Sequence, residues 1–169
     1  MKCGSAAGVL AGLFLSVVVL SAAATDDEPI ARSASLKPAL ALKLATAAQA
    51  ACRARDFQVS VVVVDRAGHP QAAVRDELAG FFTWDVALAK ARTAAALRQA
   101  TLALAQAMPE RPELASLQTI DGLLMLGGGV PVTWEGSTIG ALGVSGAPTQ
   151  ESDHACAQDG LEAIADDLF

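Results

Sequence analysis

The stretch Leu126–Gly146, LGGGVPVTWEGSTIGALGVSG, places seven glycines in twenty-one residues. Such a density suits a phosphate cradle, a nucleophile elbow or a set of turns between strands, and the letters separate the three. A phosphate-binding loop of the type G-x-x-x-x-G-K-[ST] needs a lysine after its last glycine, and none of these glycines has one. A dinucleotide fingerprint needs G-x-G-x-x-G between a strand and a helix. Gly140, Gly143 and Gly146 are instead spaced G-x-x-G-x-x-G, with the first two inside a strand-like run. A hydrolase elbow needs G-x-S-x-G, and Ser145 sits in G-V-S-G-A. What remains is architecture: strands at Leu123–Leu126, Val130–Trp134 and Thr138–Val144, a bend at Gly127–Gly129 needing unusual backbone angles, and a tight turn at Glu135-Gly136. Gly140 and Gly143 leave room for another backbone, or a flat ligand, to approach their strand.

Upstream, FQVSVVVVD (Phe57–Asp65) is β-branched and too apolar for a strand with one wet face, so it reads as a central strand. DRAGH (Asp65–His69) is a turn with Gly68 at a left-handed position, and PQAAVRD returns as the second strand of a hairpin. Helical spacing predicts a first helix over Leu36–Arg55, with Ser35 as its cap. A second follows Thr83 as cap, carries Asp85 in its first turn and runs to Met108, where Pro109 and Pro112 end it. A last helix covers Ser152–Asp167 and turns Cys156, Leu161 and Ile164 inward. The order α-β-β-α-β-β-β-α predicts an α+β fold, a five-stranded antiparallel sheet covered by helices, rather than a parallel doubly wound one.

The first residues read differently. Met1 and Lys2 give a positive start, Ala6–Leu20 carries no charge, Ala22–Ala24 are small, and Asp26, Asp27 and Glu28 follow at once. This is the pattern of a secretory signal over residues 1–24, which implies a periplasmic or secreted protein. The competing reading is a retained membrane anchor, although the run is short of the ~20 residues a span needs. Residues 25–35 form a polar, flexible leader, and 36–169 a single domain of ordinary size.

Removing residues 1–24 takes away one lysine and leaves 11 basic against 18 acidic side chains, a net charge of −7. A surface this acidic argues against nucleic acid, whose binding rests on phosphate neutralisation. No basic amphipathic stripe offers itself to anionic lipid, so no stable membrane association is expected after cleavage. Cys52 and Cys156 are then the cysteines left. In an oxidising compartment they suggest a disulfide, with two buried free thiols as the alternative. Cysteine and histidine together do not supply a typical four-ligand zinc site.

Five segments taken in order, VVVVDRAGHPQAAVRDE, KARTAA, GGGVPV, GSTIGALGVSGA and DHACAQDGLEAI, resemble the GlcG/HbpS-like haem-binding family. The resemblance runs from about Leu36 to Ile164. It implies a profilin-like fold, a homo-oligomer, and haem or a related tetrapyrrole as cofactor, with haem degradation in some members.

Haem iron takes an imidazole, thiolate, thioether or phenolate as axial ligand. The chain has no tyrosine and two histidines. If the cysteines pair, His69 on the hairpin turn is the first candidate and His154, at the start of the last helix, the alternative. Either imidazole has a plainer use, His69 as a solvated turn residue and His154 in surface or capping duty. Arg75 and Lys90 carry donors suited to haem propionates, or to salt bridges with Asp76 or Asp85. Thr93, within KARTAA, faces either the sheet or a pocket, and Gly127, Gly128 and Gly129 complete the candidate site. Phe81, Phe82 and Trp84 would floor a pocket, meet a partner subunit or pack in the core. No nucleophile, base and orienting group stand in a recognisable set, so any chemistry would come from the cofactor. A second reading keeps the pocket and drops the metal: a small organic acid held by Arg75, Lys90 and the backbone N–H groups of the glycine bend.

Overall fold

The computed structural model describes Ile30 and residues 32–168. The expected signal segment and most of the leader lie outside these residues. No helix among the described residues is long and apolar enough to cross a membrane.

The centre of the fold is β1 (Ser60–Asp65), buried on both faces. Alternate side chains of a strand point to opposite sides. Val61 and Val63 enter a core with α1 (Pro38–Arg53) and α5 (Gln150–Glu162), and Val62 and Val64 pack on α2 (Thr83–Leu97). Helices on both faces explain why the run is valine at four successive positions. β1 pairs antiparallel with β2 (Pro70–Arg75) on one side and with β4 (Ser137–Ser145) on the other. β3 (Gly129–Trp134) lies beyond β4, so the sheet order is β2-β1-β4-β3.

The fold is thus α+β with an antiparallel sheet, but the described residues contain four strands, not five. The expected strand at Leu123–Leu126 is irregular chain. The Leu124 N–H is taken by the Thr93 hydroxyl at 2.7 Å rather than by a neighbouring strand. Met125 turns into a small separate core with Leu104 and Leu114.

The second helix is also not continuous. Arg98 takes a left-handed conformation (φ 53°) and divides it into α2 and α3 (Thr101–Ala107), and a short α4 (Pro112–Leu117) follows. The break lets Thr101 turn back, where its Oγ1 accepts the Gly129 N–H at 2.8 Å. Tertiary bonding here overrides the alanine-rich helical pattern. Boundaries shift in three helices as well. Pro38 opens α1 and holds Lys37 extended, as a residue before proline must be, so Ser35 does not cap the helix, which ends at Arg53. Thr83 lies inside α2, its hydroxyl bonded to the Gly80 carbonyl and to Ser60 Oγ. Thr149 caps α5, which ends at Glu162 before a 3-10 turn at Ala165–Asp167.

Two close approaches set the layer spacing. A Cβ at Gly143 would collide with the Ala87 carbonyl of α2, so that helix lies directly on the sheet. On the other face, Gly160 of α5 lies against Ala48 of α1. A disulfide between Cys52 and Cys156, with Cα atoms 5.2 Å apart, ties the same two helices.

Candidate functional site

The β1–β2 turn is built by its first residue. Asp65 Oδ1 accepts the N–H groups of Ala67 (2.8 Å) and His69 (2.9 Å), and Gly68 supplies the left-handed backbone (φ 84°). Partial burial pushes the Asp65 carboxyl up. The two backbone donors, the His69 imidazole and Gln71 outweigh it and hold the group below its ordinary value. The turn therefore presents His69 from a fixed backbone, with 74% of its side chain exposed. Nδ1 lies 3.6 Å from Asp65 Oδ2, beyond hydrogen-bond range but within electrostatic reach. With Nδ1 facing the carboxylate, Nε2 is the nitrogen left with a free lone pair.

His69 lies on a concavity of about 530 Å³ formed by three segments. The turn contributes Arg66–His69. The outer flank of α2 contributes Arg92, Ala95 and Ala96. The chain between α4 and β3 contributes Ile120–Leu123. Arg92 joins two of these, its Nε donating to the Gly68 carbonyl at 3.0 Å. Thr93 pins the third from behind. Its hydroxyl donates to Ala89 O and accepts the Leu124 N–H, so this buried residue positions the wall without lining it.

The other candidates lie elsewhere. Lys90 is fully buried on the sheet-facing side of α2. Its Nζ donates to Asp153 Oδ2 at 2.7 Å and to Val144 O at 3.0 Å. Burial pulls the Lys90 ammonium down and pushes the Asp153 carboxyl up, and the attraction between them opposes both changes. Neither Asp76 nor Asp85 is its partner, as the sequence suggested. The Gly127–Gly129 bend closes over this pair. Gly128 has φ 120°, and a Cβ there would sit 3.0 Å from Lys90 Nζ and 2.5 Å from Val144 O. Gly127 N–H donates to Gln150 Oε1. The bend and Lys90 are therefore brought together, but with each other and not with His69.

Arg75 ends β2 at the opposite end of the hairpin from His69, pairs with Ser60 in register, and donates to the Ala79 carbonyl. Five residues of strand place it roughly 17 Å from the turn. Asp76, its suggested partner, is bonded instead to Arg53 and Gln49. His154 is half-buried on α5, away from the concavity. Its Nδ1 is buried without a hydrogen-bond partner, and burial holds its pKa below the ordinary value. Phe81 and Phe82 are exposed at 77% and 64% and stack with ring centroids 4.0 Å apart, so they do not pack in the core.

Sequence reasoning missed Arg66, Arg92, Ile120 and Leu123. A usable signal exists for one of them. On a helix, Lys90 and Thr93 share a face at i,i+3, while Arg92 shares one with Ala96 at i,i+4 and lies about 200° from Lys90. Choosing Lys90 for the sheet leaves Arg92 for the flank. Ile120 and Leu123 lie in a loop, where no periodicity marks a direction.

Among the described residues no group of three or more His, Cys, Asp or Glu is placed to hold a bare metal ion. A single presented imidazole beside small and apolar side chains matches what iron in a macrocycle asks of a protein, because the macrocycle supplies the other in-plane ligands. Residues 36–162 match the family model described as haem degrading protein HbpS-like. A doubly substituted Streptomyces reticuli HbpS crystal structure is 36% identical, with a TM-score of 0.75, covering 80% of this chain and 90% of that one. A crystal structure of a PduOC–haem complex is 30% identical, with a TM-score of 0.66, over 72% and 89% of the two chains. An uncharacterised 15.0 kDa protein from the dhaT-dhaS intergenic region of Citrobacter freundii is 36% identical over 137 residues, 79% of this chain and 94% of that protein. The chain belongs to the HbpS-like family.

Proposed function

We propose that the protein binds haem in the concavity beneath the β1–β2 turn, with His69 as the axial ligand to iron. The observation that carries this reading is the exposed imidazole on a rigid turn, its Nδ1 facing Asp65 and its ring bordering a 530 Å³ hollow. That volume lies within the range of small-molecule sites. When bound, haem would supply the redox chemistry. This chain would present the ligand, shield one face with Ala95, Ala96, Ile120 and Leu123, and hold the backbone of the His69 turn through Asp65. His154 is the alternative ligand, supported by its unpartnered Nδ1 and its bias toward the neutral form that metals use. A role as haem carrier or accessory to a sensor accords with a site that binds through one side chain.

Titration with hemin tests the reading. The parent should develop a Soret band. His69→Ala should shift or abolish it and weaken binding by roughly tenfold or more, equivalent to about 1.4 kcal/mol, while His154→Ala leaves it nearly unchanged. The reverse pattern moves the site to α5. No band with the parent would favour a metal-free organic acid as ligand.

The proposal extends to export and assembly. The N-terminal charge pattern supports cleavage near Ala24, and exposed Leu78, Phe81 and Phe82 form an apolar patch suited to a second copy of the chain. Closed symmetry makes an assembly of dimers the expected form. Material from the periplasm should give an intact mass that starts near Thr25 and a light-scattering mass above one subunit. A mass retaining Met1 would sink the first expectation, and a monomer at micromolar concentration the second.

A further inference from the structure

Arg66 and Arg92, which the haem reading does not use, border the same concavity as His69. We propose that they form a two-guanidinium clamp for carboxylates. The site would then select a flat apolar molecule with two carboxylates on one edge. The clamp rests on the location of the site proposed above, but not on iron.

Arg53, Arg55 and Arg111 each hold a carboxylate within 2.9 Å, and Lys43 and Lys90 do the same. Arg66 and Arg92 hold none among the described residues; Lys37, Arg75 and Arg98 hold none either, but they do not line the concavity. Arg66 has no side-chain partner there, and Arg92 uses only Nε, on the Gly68 carbonyl. That bond anchors the Arg92 guanidinium against the turn and leaves its terminal N–H groups for a ligand. A planar fork so anchored is suited to bidentate contact with a carboxylate.

The surroundings agree. The one acid on the lining is Asp121, on the segment between α4 and β3, whereas both arginines belong to or abut the turn. Asp65 is engaged by the backbone of its own turn and pairs with neither arginine. Carboxylates are thus favoured at the turn and disfavoured at the Asp121 segment, which gives a bound ligand one orientation. A net charge of −6 repels such a ligand from the rest of the surface, so this local pair of cations also focuses its approach.

Four probes and the full-length chain test the clamp: hemin, hemin dimethyl ester, and metal-free protoporphyrin IX with its dimethyl ester, the last pair read by fluorescence. The parent should prefer each diacid over its ester by roughly 10- to 100-fold. Arg66→Gln/Arg92→Gln should erase that preference, with circular dichroism unchanged because both residues are exposed. His69→Ala should retain the preference for metal-free protoporphyrin. Equal binding of diacid and ester by the parent, or a preference that survives in the double variant, overturns the clamp. A Soret band indifferent to esterification would leave the haem reading standing without it. Diacid preference with no Soret band would leave the clamp standing without iron. Displacement of protoporphyrin by millimolar succinate, in the parent and not in the double variant, would assign the clamp to small dicarboxylates, and its absence would assign it to tetrapyrroles.

Discussion

Lys90→Met is expected to cost about 3–5 kcal/mol of folding stability, a large share of the 5–15 kcal/mol typical of a domain. The side chain is fully buried, and its ammonium is the counter-charge for an Asp153 carboxylate that is itself 4% exposed. Methionine matches the length of lysine but leaves that carboxylate without its counter-charge, held only by the backbone N–H groups of Ala147, at 2.9 Å, and Gly146. The loss should depend on pH. Burial already raises the Asp153 pKa above its ordinary 3.8, and removing Lys90 removes the attraction that opposes the rise. A carboxyl with a raised folded pKa destabilises the protein in full above that value, and the penalty fades between it and the unfolded value. The penalty should therefore shrink as pH falls toward 3.8. Asp153→Asn should show the opposite slope. It strands an ammonium whose pKa burial has lowered from 10.5, so its penalty should shrink as pH rises through that lowered value. Urea unfolding across pH gives both slopes. Lys90→Met/Asp153→Leu should recover most of the single-variant loss, short of the cost of leaving Val144 O and Ala147 N–H unpaired. A Lys90→Met loss below about 1 kcal/mol would refute the account.

Cys52→Ala/Cys156→Ala is expected to lower stability by up to ~4–5 kcal/mol. The bond joins residues 104 apart in sequence, and closing a loop of that order in the unfolded chain is worth ~4.7 kcal/mol on the chain-entropy model. Both cysteines are fully buried between α1 and α5. Reductant should accordingly act slowly on the folded protein and fast once denaturant opens it. Unfolding of the parent under reducing conditions should fall to the level of the double variant. Coincident curves for oxidised parent, reduced parent and variant would show that the bond contributes nothing beyond the packing of Gly160 on Ala48.

Both effects concern the layers, and the binding predictions concern the turn. The separation has a physical cause. The buried pair holds the glycine bend to α2 and α5, whereas the concavity is built on the outer flank of α2. A variant in one set should therefore leave the other intact, since distant sites without shared partners act nearly additively.

The class of fold was legible in the residues because its signals are local. Four successive valines require apolar cover on two faces, Gly68 and Glu135-Gly136 require turns, and the helical spacing of alanine and leucine from Trp84 requires a helix. The pairing of Cys52 with Cys156 was also legible, since two cysteines remain after the expected leader. The strand at Leu123–Leu126 and the continuous helix to Met108 failed for one reason. Single hydroxyls on Thr93 and Thr101, distant in sequence from the amides they bind, decide those backbones. Composition limits the residue types available to a ligand: two imidazoles, a few cations and no phenol. Tertiary structure alone decided which of them meet. It turned Lys90 inward to Asp153 and the glycine bend, left Arg75 at the far end of its strand, and set Arg66 and Arg92 beside His69. Those choices depend on the hand of one helix turn and the length of one strand, and on a loop whose direction no periodicity records.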